Sequence, residues 1–165
     1  MGKIVKTIIF LLFLSTMFSV IGCTDECTDN QSSIGLAGFY NGKGKSIVID
    51  SISVWGAGVP NDSMILRNQL NVAQVYLPMP LNSSECRFVF HYDQKAISDS
   101  RYNDTLTLHY EAIPYFASIQ CGAMYRFEIA SFNYTTHLID SVAIPTMKID
   151  NVDEETIKIY MRTSE

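Results

Sequence analysis

From Ile34 onward, apolar side chains alternate with polar ones in short runs separated by turn residues, the period of half-buried strands. Ile34 to Tyr40 forms the first run, and Asn41-Gly42 after it is a two-residue hairpin signal. Ser46 to Trp55 follows, with Ile47 and Ile49 on one face. The phase then breaks at Asp50-Ser51, and Ile52 and Val54 carry the apolar face, which predicts a bulge or corner. Gly56 to Ser63 reads as loop. Val72 to Leu77 is bounded by Pro78 and Pro80, as suits an edge strand. Cys86 to Asp93 alternates cleanly, and so does Thr105 to Glu111, with Leu106, Leu108 and Tyr110 inward. Tyr125, Phe127 and Ile129 form another inward set. Leu138 to Ile144 breaks phase at Asp140-Ser141, and Thr156 to Arg162 buries Ile157, Ile159 and Met161.

No segment after the first 22 residues shows a helical period of useful length. Strands at near-regular spacing, with turn signals between them, predict an all-β domain: an antiparallel β-sandwich of about eight strands, Ig-like in architecture. The phrases Ile49-Asp50-Ser51-Ile52 and Ile139-Asp140-Ser141-Val142 are similar, but four residues are too few for a duplication. A shared strand-corner device explains them equally well.

The start of the chain follows a different pattern. Lys3 and Lys6 precede the apolar run Ile8 to Leu14, and Val20-Ile21-Gly22-Cys23 closes it, the layout of a secretory signal. A cysteine directly after the small residue resembles a bacterial lipobox, in which Cys23 is acylated with palmitate-type chains and becomes the first mature residue. An uncleaved anchor fits less well, because Ser15, Thr16 and Ser19 interrupt the run and it falls short of the ~20 residues of a spanning helix. The predicted organisation is a signal peptide over 1–22, an acidic lipidated tether over 23–32, and a single β-sandwich domain over 33–165.

Removing the signal leaves 143 of the 165 residues, enough for a packed core. Without Lys3 and Lys6, ten basic side chains remain against seventeen acidic ones, a net charge near −7. No basic stripe exists, which argues against nucleic acid as a partner. An acidic body is repelled by an anionic leaflet, so the lipid must hold it at the membrane.

Cys23 is allotted to lipid, which leaves Cys27, Cys86 and Cys121 as an odd set with three possible pairings. Cys86 shares a strand face with Phe88, Phe90 and Tyr92, so it reads as a buried, inert thiol. That favours Cys27–Cys121, a bridge that closes a loop of about 94 residues and contributes roughly 4 kcal/mol on the chain-entropy model. Zinc is the rival use of these thiols, but no Cys-x-x-Cys or nearby histidine supports it.

Candidate chemistry is sparse. Gly44-Lys45-Ser46 lacks the first glycine of a phosphate loop, Phe39 standing there, and a strand follows instead of a helix. His91 and His109 fall on the outward phase of adjoining strands, diagonal at best, with no third ligand, and His137 stands alone. No metal or cofactor is expected. No serine is framed as a hydrolase elbow. Asp150 to Glu155 offers oxygens for weak calcium binding but lacks the spacing of an EF-hand, and reads as a solvated turn. Trp55, with Tyr115-Phe116, is a candidate platform for a sugar ring, though tryptophan before a glycine-rich turn is more often core.

One pattern exceeds chance. Asp50-Ser51-Ile52, Asp62-Ser63-Met64, Asp104-Thr105-Leu106 and Asp140-Ser141-Val142 all read Asp, Ser or Thr, then apolar. The triplet resembles the O-glycosylation acceptor that Bacteroidota use on exported proteins, which makes Ser51, Ser63, Thr105 and Ser141 candidate acceptors. Asp-Ser also favours turns, so a purely structural origin stands beside it. Asp25, Glu26 and Asp29 after the lipid site resemble the acidic signal that sends Bacteroidota lipoproteins to the cell surface.

Taken together, the lipobox, Cys27 four residues beyond Cys23, Leu77-Pro78 with Leu81-Asn82, Cys121-Gly122 and Ile139-Asp140-Ser141 resemble a family of small Bacteroidota lipoproteins of unknown function. The resemblance implies an all-β domain and an outer-membrane address, lends support to the Cys27–Cys121 pairing, and brings no catalytic residues. The expected function is that of a non-catalytic envelope module, anchored by lipid, that binds a protein or glycan. A periplasm-facing accessory subunit docking through Leu77-Pro78-Met79-Pro80-Leu81 is the alternative. A thiol-disulfide enzyme acting through Cys86 is the weaker one, since Glu85 and Arg87 flank it with cancelling charge.

Overall fold

A computed structural model describes residues 33–58, 63–119, 121–150 and 153–162. The lipobox, Cys23, Cys27 and the acidic stretch before Ser33 lie outside the described residues. Within them are ten strands: β1 Ile34–Asn41, β2 Ile49–Gly56, β3 Met64–Val72, β4 Gln74–Pro78, β5 Glu85–Tyr92, β6 Asp104–Ser118, β7 Gly122–Tyr134, β8 Ile139–Ala143, β9 Lys148–Ile149 and β10 Glu155–Met161. They form two sheets, ordered β4-β1-β10-β8 and β3-β2-β5-β6-β7-β9.

The core lies between the sheets and follows the alternation of the sequence. Phe39, Leu77, Ile157 and Ile159 face it from the four-stranded sheet, and Ile52, Val54, Phe90, Leu106 and Leu108 from the other. Phe39 and Phe90 meet across the gap edge to face, with ring centroids 6.3 Å apart. Each such aromatic, fully buried, contributes about 1.5–3 kcal/mol of transfer free energy. The all-β sandwich expected from the pattern is the fold observed.

Pairing is antiparallel throughout except at one place, where β1 and β10 run parallel. A parallel neighbour needs a long connection, and here nearly the whole domain supplies it. The phase break at Asp140 is a bulge: Tyr160 pairs with Ser141 and Met161 with Ile139, leaving Asp140 unpaired. At Asp50-Ser51, Ile49 and Ile52 both reach the core across an interval of three, as the switch of phase requires.

Three sequence expectations change. The turn after β1 is held by the Asn41 side chain, whose Oδ1 accepts the N–H groups of Lys43 and Lys45 at 3.0 and 2.9 Å. Gly44, at φ +76°, takes the left-handed position. The chain folds back on β1 only briefly, through the Tyr40–Ser46 bridge with the Asn41 N–H donating to the Lys45 carbonyl and the Ile47 N–H to that of Phe39, before it crosses to the other sheet as β2. β3 carries little alternation because it is a largely exposed edge strand, with Asn68 and Asn71 both at positive φ. β6 and β7 run 15 and 13 residues, well beyond the segments that alternate. Pro114 sits inside β6 past His109, the last residue of that strand paired to β5, so its missing N–H breaks no ladder bond on that side.

Candidate functional site

At one end of the sandwich the sheets part to form a cleft of about 770 Å³. The end of β2 (Gly56), the start of β5 (Glu85 to Phe88) and the Pro78–Ser83 connection wall it in. Pro78, Pro80 and Ile65 give it apolar surface over buried Met79 and Phe88, while Asn82, Ser83 and Arg87 give it polar groups. Buried Tyr110 fixes one wall: its hydroxyl donates to the Pro80 carbonyl at 2.6 Å, and its N–H donates to the Ser84 carbonyl. On the rim, Glu85 lies 3.5 Å from Arg87 Nε and 3.5 Å from His109 Nδ1. These exposed pairs add little stability, but they set charge of both signs at the mouth.

Cys86 also lines the cleft and is a free thiol. Burial pushes its pKa up to about 12, and the Glu85 carboxylate adds to the shift. A thiol held there is protonated at neutral pH and is a poor nucleophile, the opposite of a redox-active cysteine. Among the described residues lining the cleft, the ionisable groups are Glu85, Cys86 and Arg87, and none is a histidine.

The outer face of the six-stranded sheet carries a second polar cluster. Ser53 Oγ donates to Asp93 Oδ2 and accepts the Asn68 N–H, both at 2.8 Å. His91 Nδ1 lies 2.7 Å from Asn103 Oδ1, and its Nε2 lies 3.7 Å from Asp93 Oδ1. The carboxylate thus stands between serine and histidine. In a nucleophilic triad the imidazole must stand there to take the hydroxyl proton.

Trp55 belongs to this face. It is half-buried, outside the core cluster and outside the residues lining the cleft, and its ring lies 6.2 Å from that of His91. Tyr115 and Phe116 do not join it. Trp55 pairs with Val89 and Val89 with Thr105, so Tyr115 lies ten residues further along β6, on the order of 33 Å away. His91 and His109 are not diagonal neighbours either: Glu85 opposes His109 while Phe90 opposes Asp104, which puts the two rings at opposite ends of the ladder. Among the described residues no group of three or more His, Cys, Asp or Glu side chains is placed to hold a metal ion. In the Asp150–Glu155 segment, Asp150 meets Lys148 Nζ at 2.8 Å, Asp153 accepts the Tyr76 hydroxyl, and Glu155 accepts the Tyr40 hydroxyl and a Gln74 Nε2–H.

The acceptor triplets separate by burial. Ser63 is exposed, and Ser141 is half-buried beside exposed Asp140. Ser51 is buried with its hydroxyl donated to Asn68 Oδ1 at 2.5 Å. Thr105 follows an aspartate that is wholly buried, so the folded domain does not present that triplet. Cys121 is disulfide-bonded. In the Leu77-Pro78-Met79-Pro80-Leu81 segment, Leu77 and Met79 are buried in the core, which leaves Pro78 and Leu81 exposed.

Asp104 is the residue that the sequence least betrays. Oδ1 accepts from Thr135 Oγ1 and from the His137 N–H, both at 2.8 Å. Oδ2 accepts from the Leu138 and Ile139 N–H groups at 2.8 and 2.9 Å and from Tyr92 Oη at 3.1 Å. These bonds hold the crossing from β7 to β8.

The chain belongs to the DUF6452 family, a family of unknown function, whose model matches residues 51–161. No curated protein and no solved structure matches it.

Proposed function

We propose that this member of the family is a non-catalytic cell-envelope lipoprotein, a binding module tethered to the outer membrane through acylated Cys23. Cys27 and Cys121 then form the disulfide that joins the tether to the domain. The observation that carries the binding role is the end cleft. It combines apolar surface from Pro78, Pro80 and Ile65 with a mixed-charge rim, and the pKa of its thiol is raised, not lowered. Such a cavity suits a ligand with an apolar portion and a few hydrogen-bonding groups, such as a glycan fragment or an extended peptide. Exposed Ser63 on the cleft is the acceptor best placed for O-glycosylation.

Thermal-shift screening of the full chain against soluble envelope glycans and peptides tests the binding role, with Arg87→Ala as the site control. A stabilising ligand whose effect is lost in Arg87→Ala supports the cleft. A ligand that stabilises both proteins equally contradicts it.

A further inference from the structure

We infer that the tip of the β6–β7 hairpin is a membrane-docking element that inserts beside the lipid anchor. β6 and β7 continue together past His109, where β6 loses its β5 partner, and pair as far as Ser118 and Gly122. The side chains on this extension are graded by height. Ile119, at the turn, is 89 % exposed, and Phe116, in the row below the Ser118–Gly122 pair, is 68 % exposed. Tyr115 and Tyr125 follow, then Arg126, whose guanidinium carbon lies 6.0 Å from the Tyr115 ring centroid. Glu111 and Glu128 oppose each other two rows lower. Apolar, then aromatic hydroxyl, then cation, then acid is the order of layers met on leaving a bilayer core for water.

The path of the chain selects a membrane over another partner. The described chain starts at Ser33, whose hydroxyl donates to the Tyr125 carbonyl on this same hairpin. Cys23 lies ten chain steps before Ser33, a reach of at most about 36 Å. Cys121, which is disulfide-bonded, sits in the turn itself. The inference rests on the proposed anchor: with Cys27 joined to Cys121, only Thr24, Asp25 and Glu26 separate the lipidated residue from the bridge. The lipid and the apolar tip then enter the membrane at one place, and the apolar contact opposes the repulsion of an acidic body from the leaflet.

The test uses full-length protein purified from membranes and reconstituted into phosphatidylethanolamine–phosphatidylglycerol vesicles with brominated acyl chains, which quench tryptophan in the bilayer. Ile119→Trp adds a reporter at the tip, Leu70→Trp adds one on the exposed β3 edge, and native Trp55 reports on the sheet face. The expected result is an Ile119→Trp emission shifted to the blue and quenched about twofold or more, as for an interfacial side chain, with Leu70→Trp and Trp55 unaffected. Vesicle flotation and the mass of the N-terminal peptide read the anchor separately. Acylated, floating protein whose tip reporter is not quenched overturns the docking inference and leaves the anchor standing. Protein that carries no acyl chain and does not float overturns the anchor and the inference with it. Efficient chain-to-chain photo-cross-linking from position 119 would assign the tip to a second copy and overturn the inference as well.

Discussion

The Asp104 carboxylate accepts the backbone N–H of Ile139 at 2.9 Å, and the bond ties the two sheets together. Asp104 opens β6 in the six-stranded sheet, and Ile139 opens β8 in the four-stranded one. The same carboxylate takes the two preceding backbone N–H groups and two hydroxyls, so it satisfies donors that no strand ladder reaches.

Removing this carboxylate leaves the buried Ile139 N–H, the half-buried Leu138 N–H and the buried Tyr92 hydroxyl without their acceptor. Asp104→Ala is therefore expected to cost about 3–5 kcal/mol, the range for breaking a buried charged network. Asp104→Asn keeps one acceptor oxygen and turns an amide N–H₂ toward the remaining donors, so it is expected to fall between. Urea unfolding reads both as a lower midpoint at unchanged slope. A midpoint equal to that of the unsubstituted protein would contradict the role.

Trp55 is half-buried on the sheet face, whereas Phe90 is wholly buried against Phe39. Phe90→Ala is expected to cost about 3–5 kcal/mol, as for a core aromatic, and Trp55→Ala clearly less. Equal losses in denaturant unfolding would place Trp55 in the core after all. A small loss of stability with loss of ligand binding would make it the platform.

The Cys86 thiol, pushed up to about 12 by burial and by Glu85, should react slowly with iodoacetamide at neutral pH. Its alkylation rate is expected to keep rising through pH 10 instead of levelling near 9, the ordinary thiol value. A plateau at or below pH 9, followed by mass spectrometry of the modified peptide, would reveal an activated thiol and revive the redox reading.

Alkaline sensitivity follows from the same groups. The Tyr110 hydroxyl is pushed up to about 12, by burial first, and that of Tyr40 also to about 12, by its hydrogen bond to Glu155 first. Burial likewise raises Tyr92. A group whose folded pKa exceeds its unfolded value contributes fully below the unfolded value and loses that contribution as pH climbs through the folded one. Stability is thus expected to hold up to about pH 9, where Cys86 begins to count, and to fall from there to about pH 12. Melting temperatures across this range, with phenolate absorbance as a second probe, measure it. Unchanged melting from pH 9 to 12 would contradict the buried environments.

The fold was legible wherever one strand face is buried, because Leu106-Leu108-Tyr110 or Ile157-Ile159-Met161 can alternate only as half-buried strands do. It was least legible in β3, an edge with polar residues on both faces, and in the outer half of the β6–β7 hairpin, which leaves the core. Asp104 reads in sequence as one of four Asp-Ser/Thr triplets. Its partners lie 12 residues before it at Tyr92 and 31 to 35 after it at Thr135 to Ile139, beyond any local pattern. The cleft is equally non-local, since Gly56, Pro80 and Cys86 become neighbours only once the sheets pack. Phe116 and Ile119 did leave a signal, two large apolar side chains beside a turn, but their exposure marks them only when the height of the hairpin is known.

The mass of the mature N-terminal peptide, taken from protein purified out of the cell envelope, tests the central claim most directly. A peptide that begins at Cys23 and carries a diacylglyceryl group is the expected result. A peptide that begins elsewhere, or at Cys23 without lipid, would contradict the account of a tethered envelope module.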